Sequence, residues 1–100
     1  QRAGGPDRAK AIIDLCRARG VRVTVTVSLE TAIGTTAALH VASLLAEPLP
    51  DCGLAMGRFL ARDVAEPPAP KDGRMIVPVV PGLGIAAVDP DGLLSARPTR

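Results

Sequence analysis

Hydrophobic and polar residues alternate between Val21 and Ser28. The apolar row is Val21, Val23, Val25 and Val27, and the polar row is Arg22, Thr24, Thr26 and Ser28. Alternation with a period of two predicts a β-strand with two unlike faces. The polar row continues to Glu30 and leads into Gly34, Thr35 and Thr36, a helix-start signal. We therefore expect the polar face to point at a site rather than only at solvent.

A helical pattern precedes this strand. Apolar side chains recur at i, i+3, i+4 and i+7 as Ala9, Ile12, Ile13 and Cys16. Pro6 suits the first helical position, and Gly20 supplies a left-handed stop. The sequence predicts a helix of about four turns that ends where the strand begins.

A second helix is predicted from about Thr35 to Ala46, before Pro48 and Pro50. Its expected packed stripe is Ala38, Val41, Ala42 and Leu45. Residues 53–56 are predicted to form another short strand, with residues 58–64 as a short helix behind it. Helix, strand and helix in close succession are typical of parallel α/β architecture.

The pattern changes at Pro67, and we divide the chain into residues 1–66 and 67–100. Prolines mark an extended connection, and Lys71, Asp72 and Gly73 predict a tight turn. Residues 74–80 are β-rich but contain a proline, which suits an edge strand. A last short helix is predicted to run to Ala96.

The chain is expected to be a small α/β unit that is incomplete by itself. The 100 residues are 47% hydrophobic but only 1% aromatic, so aliphatic side chains must form the core. A parallel strand is normally covered on both faces and paired on both edges. Two short strands cannot provide this, so the missing neighbours are expected upstream. The alternating rows fit a barrel in which Thr24, Thr26 and Ser28 face inward and Glu30 lies at the carboxyl mouth.

Charge and cysteine content exclude several classes of protein. The net charge is +2 without a basic cluster, which argues against nucleic-acid and membrane partners. Cys16 and Cys52 form no CxxC pair and are expected to be reduced thiols in the cytoplasm. No apolar run reaches the length of a membrane-spanning helix.

The segments SLETAIGTTAALHVASLL, GGPDRAKAIIDLCRARGVRV and DGRMIVPVVPGLGI resemble the carboxyl-terminal third of enolase-superfamily proteins of the muconate-cycloisomerase type. The resemblance covers Gly4 to about Leu94. It implies the last strands and helices of a modified (β/α)8 barrel and a β-rich tail that joins a capping domain. Val21 to Ser28 is similar to the seventh barrel strand, and the stretch near Leu54 to the eighth.

The resemblance also implies chemistry. Family members abstract a proton next to a carboxylate with a lysine base, and Mg2+ stabilises the enediolate. The lysines and the three metal carboxylates are expected upstream, so no catalytic or metal-binding residue is assigned here, and the segment alone should be inactive. The resemblance implies that a small carboxylate substrate is bound by Ser28, Glu30, Gly53, Met56 and Gly57.

Within this family the chain is most similar to o-succinylbenzoate synthases, lyases that dehydrate a cyclohexadiene carboxylate on the way to menaquinone. The run from Pro50 to Ala55 and the segment FLARDVAEPPAPKDGRM are the similar parts. Leu54, Ala55 and Met56 replace the Asp-x-Asp pair of dipeptide epimerases, which disfavours an amino-dipeptide substrate. Glu30 and the Pro-Gly-Leu-Gly tail also occur in N-acylamino-acid racemases and cycloisomerases, so that alternative stays open. A non-catalytic α/β interaction module is a third hypothesis.

Each candidate also has a structural interpretation. Glu30 could cap the following helix, whose dipole attracts an anion. Ser28 could satisfy a local amide. His40 is the single histidine, but it lies in mid-helix at the border of the packed stripe, so a packing role is expected for it rather than catalysis.

Overall fold

Two helices form the regular part of the computed structural model, which describes residues 2–85 and 88–89. Helix α1 spans Pro6–Ala18, helix α2 spans Ala32–Ala42, and a single 3-10 turn spans Gly57–Phe59. The two α-helices pack against each other. The buried apolar residues are aliphatic, as expected from the composition: Ile13, Ala32, Leu39, Val41, Leu54 and Ala65.

Helix α1 confirms the sequence prediction. It begins at Pro6 and ends where Gly20 adopts a φ of +69°. The amide of Val21 donates to the carbonyl of Cys16 at 2.9 Å, and the amide of Gly20 donates to that of Arg17 at 3.2 Å. These two bonds form a Schellman motif, which favours glycine at the left-handed position.

Helix α2 lies earlier in the sequence than predicted. It covers Ala32–Ala42 instead of starting at Thr35 and ending at Ala46, and Thr31 is its N-cap. The Thr31 hydroxyl accepts a hydrogen bond from the Gly34 amide at 3.5 Å. Thr35, predicted as part of the helix start, is completely buried instead. The predicted boundaries were therefore wrong because the threonine that caps the helix comes four residues earlier.

A buried carboxylate from a distant segment also stabilises the start of α2. Asp63 is 5% exposed, and both of its oxygens accept the Ala32 amide, at 2.9 and 3.0 Å. Its Oδ1 also accepts the Val64 amide at 2.7 Å. The predicted helix over residues 58–64 was wrong, since only Gly57–Phe59 forms a 3-10 turn. The chain instead continues in an irregular path that brings Asp63 to α2.

The strand prediction for Val21 to Ser28 is confirmed in part. Its two rows are separated as predicted, with Val23, Val25 and Val27 half-buried and Thr24, Thr26 and Ser28 exposed. Within the described residues, pairing of this segment is limited to one parallel bridge between Thr26 and Gly53, so residues 53–56 are not a full strand. The parallel direction is confirmed, whereas the described residues form no multi-stranded sheet.

The tail keeps its predicted turn. Asp72 and Gly73 have φ values of +53° and +74°, and Lys71 and Arg74 exchange two backbone hydrogen bonds across them. Residues 74–80 form no strand ladder within the described part, and the side chains of Ile76 and Val79 are 86% and 98% exposed. The predicted last helix lies outside the described residues. The division into residues 1–66 and 67–100 stays a prediction.

Cys16 and Cys52 are free thiols in the structure. Among residues 2–85 and 88–89, no helix combines the length and the apolar character needed to cross a bilayer.

We expect Asp63→Ala to destabilise the protein by about 1–3 kcal/mol, because the buried Ala32 amide loses its acceptor. Urea-induced unfolding and amide hydrogen exchange at Ala32 measure the effect. Asp51→Ala is the matched control, since Asp51 is exposed and should change stability by less than about 0.5 kcal/mol. Equal effects of the two substitutions would contradict the role assigned to Asp63.

Candidate functional site

The candidate site lies where two extended segments run side by side in the same direction. The amide of Val27 donates to the carbonyl of Gly53 at 2.9 Å, and the amide of Gly53 donates to that of Val25 at 3.1 Å. A Cβ atom on Gly53 would lie 3.3 Å from the methyl group of Thr26, so the glycine permits this close approach. Because the segments are parallel, their carboxyl ends leave the pair at the same end. We call this end, with Ser28, Glu30 and Met56, the mouth.

Glu30 lies beside the N-terminus of α2, as its helix-capping interpretation predicts, and also at the mouth. It is half-buried and immediately precedes Thr31, the N-cap of α2. Its carboxylate lies along the first turn of that helix, since Oε2 is 2.6 Å from the position that a Cβ on Gly34 would take. A helix N-terminus favours a negative charge there. Ser28, two residues earlier, is exposed, so its hydroxyl is accessible at the mouth.

The other three predicted residues follow the bridge on the second segment. Gly53 is exposed and forms the bridge itself, and Met56 is half-buried. Gly57 is buried, and a Cβ there would lie 2.7 Å from Cβ of Pro67. The structure therefore brings Gly53 to the Val21 to Ser28 segment but covers Gly57 with Pro67. Substrate binding by any of the five stays a prediction.

A groove of about 780 Å3 lies elsewhere on the chain. It is bounded by the carboxyl-terminal half of α2, the following loop and the turn at Gly73 and Arg74, and none of the five predicted residues lines it. Glu30 is at the opposite end of α2. We place the candidate site at the mouth because the parallel bridge and the helix N-terminus converge there.

His40 has a structural contact. Its Nε2 lies 3.0 Å from the carbonyl oxygen of Leu83, which makes Nε2 the donor in a hydrogen bond from α2 to the tail. The packing role expected from the sequence agrees with this position, on the helix turn that is farther from the mouth.

Asp63 is the residue that sequence reasoning missed. Its carboxylate accepts the amide of Ala32, the first residue of α2, and so holds the N-terminus of the helix next to Glu30 in place. The signal available in the sequence was an aspartate among the apolar residues Leu60, Val64 and Ala65. A charged side chain in such surroundings is buried only when it has partners, but its partner lies 31 residues away.

The side chains that could bind a metal ion are spread apart in the described residues. Within residues 2–85 and 88–89, no three side chains of histidine, cysteine, aspartate or glutamate come together in a way that could hold a metal ion. Mg2+ is normally held by several oxygen ligands. The described residues thus do not fit a magnesium site by themselves.

Comparison with known families gives one match across nearly the whole chain. The model of a family described as enolase C-terminal domain-like matches residues 1–91. This agrees with the resemblance drawn from the sequence. The matched residues include both extended segments of the mouth, helix α2 and the turn at residues 71–74.

Curated relatives carry two different names. An N-succinylamino acid racemase from Amycolatopsis sp is 37% identical over 87 residues, which are 87% of this chain and 24% of that protein. An o-succinylbenzoate synthase from Mycobacterium tuberculosis (strain H37Rv) is 40% identical over 67 residues, 67% of this chain and 21% of that protein. The chain thus spans about a quarter or less of these relatives. No solved structure matches it significantly.

We expect His40→Asn to loosen the tail, because the shorter asparagine side chain cannot reach the Leu83 carbonyl. Loss of this hydrogen bond should speed amide exchange in residues 82–84 about fivefold. Hydrogen exchange read by mass spectrometry measures it. Ile33→Asn, at an exposed position of the first turn of α2, is the control and should leave the tail unaffected. Unchanged exchange in His40→Asn would show that the tail is held by other contacts.

Proposed function

The chain belongs to the enolase C-terminal domain-like family, and on that premise we propose that it is the carboxyl-terminal segment of a Mg2+-dependent lyase, o-succinylbenzoate synthase. The reaction is dehydration of a cyclohexadiene carboxylate through an enediolate, a step of menaquinone biosynthesis. Family membership favours this hypothesis over a separate interaction module. The observation that carries the proposed site is the parallel bridge, which puts Ser28 and Glu30 at the same end of the paired segments as Met56.

The proposal gives this segment a binding role. The Ser28 hydroxyl can donate a hydrogen bond to a substrate carboxylate, and Glu30 can accept one from a substrate hydroxyl or order the polar groups beside it. Gly53 and Met56 form the second side of the mouth, whereas Gly57 is buried against Pro67. Mg2+ would supply electrostatic stabilisation of the carboxylate in the complete protein. Because the described residues do not fit this ion, the proposal assigns its ligands and the lysine base to residues outside them.

Racemisation of an N-acylamino acid is the second candidate, supported by one specific observation. The relative named N-succinylamino acid racemase matches 87% of this chain, whereas the synthase named above matches 67%. Both reactions begin with removal of a proton next to a carboxylate, so the mouth could serve either. In both cases we propose a cytoplasmic protein whose partner is a small carboxylate.

Activity assays distinguish the two candidates. We expect the full-length protein that carries this chain to form o-succinylbenzoate faster than it racemises N-succinylamino acids, and to lose activity when Mg2+ is removed with EDTA. The isolated 100 residues should show no turnover with added Mg2+. Preferred racemisation would support the second candidate, and turnover by the isolated segment would refute the assignment of base and metal ligands to other residues.

We expect Glu30→Gln to lower turnover of the full-length protein about tenfold, the effect of losing roughly one charge-assisted contact in the transition state. His40→Asn is the comparison, because His40 contacts the tail rather than the mouth, and should lower turnover less. Steady-state kinetics of both variants measure this. The reverse ranking would contradict the role of Glu30.

A further inference from the structure

Gly34 occupies a position where its backbone does not require glycine. It is the third residue of α2, within Ala32–Ala42, and it has no positive φ. Glycine inside a helix costs about 0.5–1 kcal/mol relative to alanine. A structural reason for glycine at residue 34 must therefore be the lack of room for a side chain, not the backbone conformation.

The space that a side chain would need is filled by Glu30. A Cβ on Gly34 would lie 2.6 Å from Oε2 of Glu30, 3.3 Å from Cδ and 3.5 Å from Cβ. All three nearest atoms belong to that one side chain. A methyl group at residue 34 would thus displace the carboxylate from the first turn of α2. The displaced atoms are the end of a flexible side chain, so they can move at little cost to the fold.

We propose that Gly34 is a positioning residue: its missing side chain lets the Glu30 carboxylate lie along the first turn of α2, and this fixes the charge that Glu30 presents to the mouth. The helix N-terminus, with Thr31 as its cap, stabilises a negative charge in this position. The inference rests on the proposed function for its consequence in catalysis. Its structural part concerns only Glu30 and Gly34.

The position of the charge matters because the proposed substrate is itself a carboxylate. A Glu30 carboxylate held along the helix has much of its field balanced by the helix N-terminus. Once released, it presents an unbalanced negative charge near the mouth and repels an anionic substrate. The released charge should weaken substrate binding more than it slows the chemical step.

Gly34→Ala in the full-length protein tests the inference. We expect KM for the anionic substrate to rise about two- to fivefold at low salt, the size of a screened charge interaction, with less change in kcat and a smaller effect at high salt. The melting temperature should change little, because the helix preference of alanine is offset by the lost interaction between the Glu30 carboxylate and the helix N-terminus. A fall of more than about 8 °C would overturn the inference, since the new methyl group would then meet something less yielding than Glu30.

A double mutant isolates the pair. In the Glu30→Gln background, Gly34→Ala should no longer raise KM, because the charge that it displaces is gone. An unchanged effect of Gly34→Ala in that background would overturn the positioning role while leaving the proposed function intact. If instead Glu30→Gln by itself has no effect on turnover, the proposed function of Glu30 fails.

A structural measurement keeps the inference testable without activity. Crystal structures of the natural full-length protein and of Gly34→Ala should differ in the Glu30 side chain, with the carboxylate moved off the first turn of α2. A carboxylate in the same place in both structures would refute the inference even if no enzymatic assay succeeds.

Discussion

The parallel pairing between Thr26 and Gly53 is the constraint on which the candidate site depends. Two backbone hydrogen bonds, from the Val27 amide and to the Val25 carbonyl, fix the direction of both segments. With the opposite direction, Met56 would lie at the far end from Glu30. A Cβ on Gly53 would lie 3.3 Å from the Thr26 methyl group, so glycine eases the close approach of the two segments. The mouth thus depends on one short ladder that a glycine favours.

The start of α2 is the second fixed point, and several independent groups determine it. Thr31 caps the helix locally, the Asp63 carboxylate binds the first helical amide from a distant segment, and Glu30 lies along the first turn. Anionic and polar oxygens are favourable at a helix N-terminus because its amides are otherwise unsatisfied. The same physical property therefore anchors the helix to the fold and places a carboxylate beside the mouth. The position of Glu30 agrees with its structural interpretation, and its functional role stays a prediction.

Large apolar side chains remain uncovered in this chain, with Ile76 86% and Val79 98% exposed. Contiguous exposed apolar surface usually marks a contact with other protein. Among the described residues, the extended segment from Val21 pairs through one bridge. Relatives are about four times as long as the matched region, which fits the proposal that this chain is one segment of a longer enzyme.

The sequence by itself determined the features that rest on local forces. The helix that starts at Pro6 and stops at Gly20, the turn at Asp72 and the separated faces of the alternating segment follow from φ preferences, capping and side-chain periodicity. Only the tertiary structure decided which threonine of this region caps α2, where Asp63 supports that choice, and how Gly34 relates to Glu30. The Asp63 carboxylate reaches the Ala32 amide across 31 residues of sequence. Such a contact depends on where the chain folds back, and no local pattern encodes that distance.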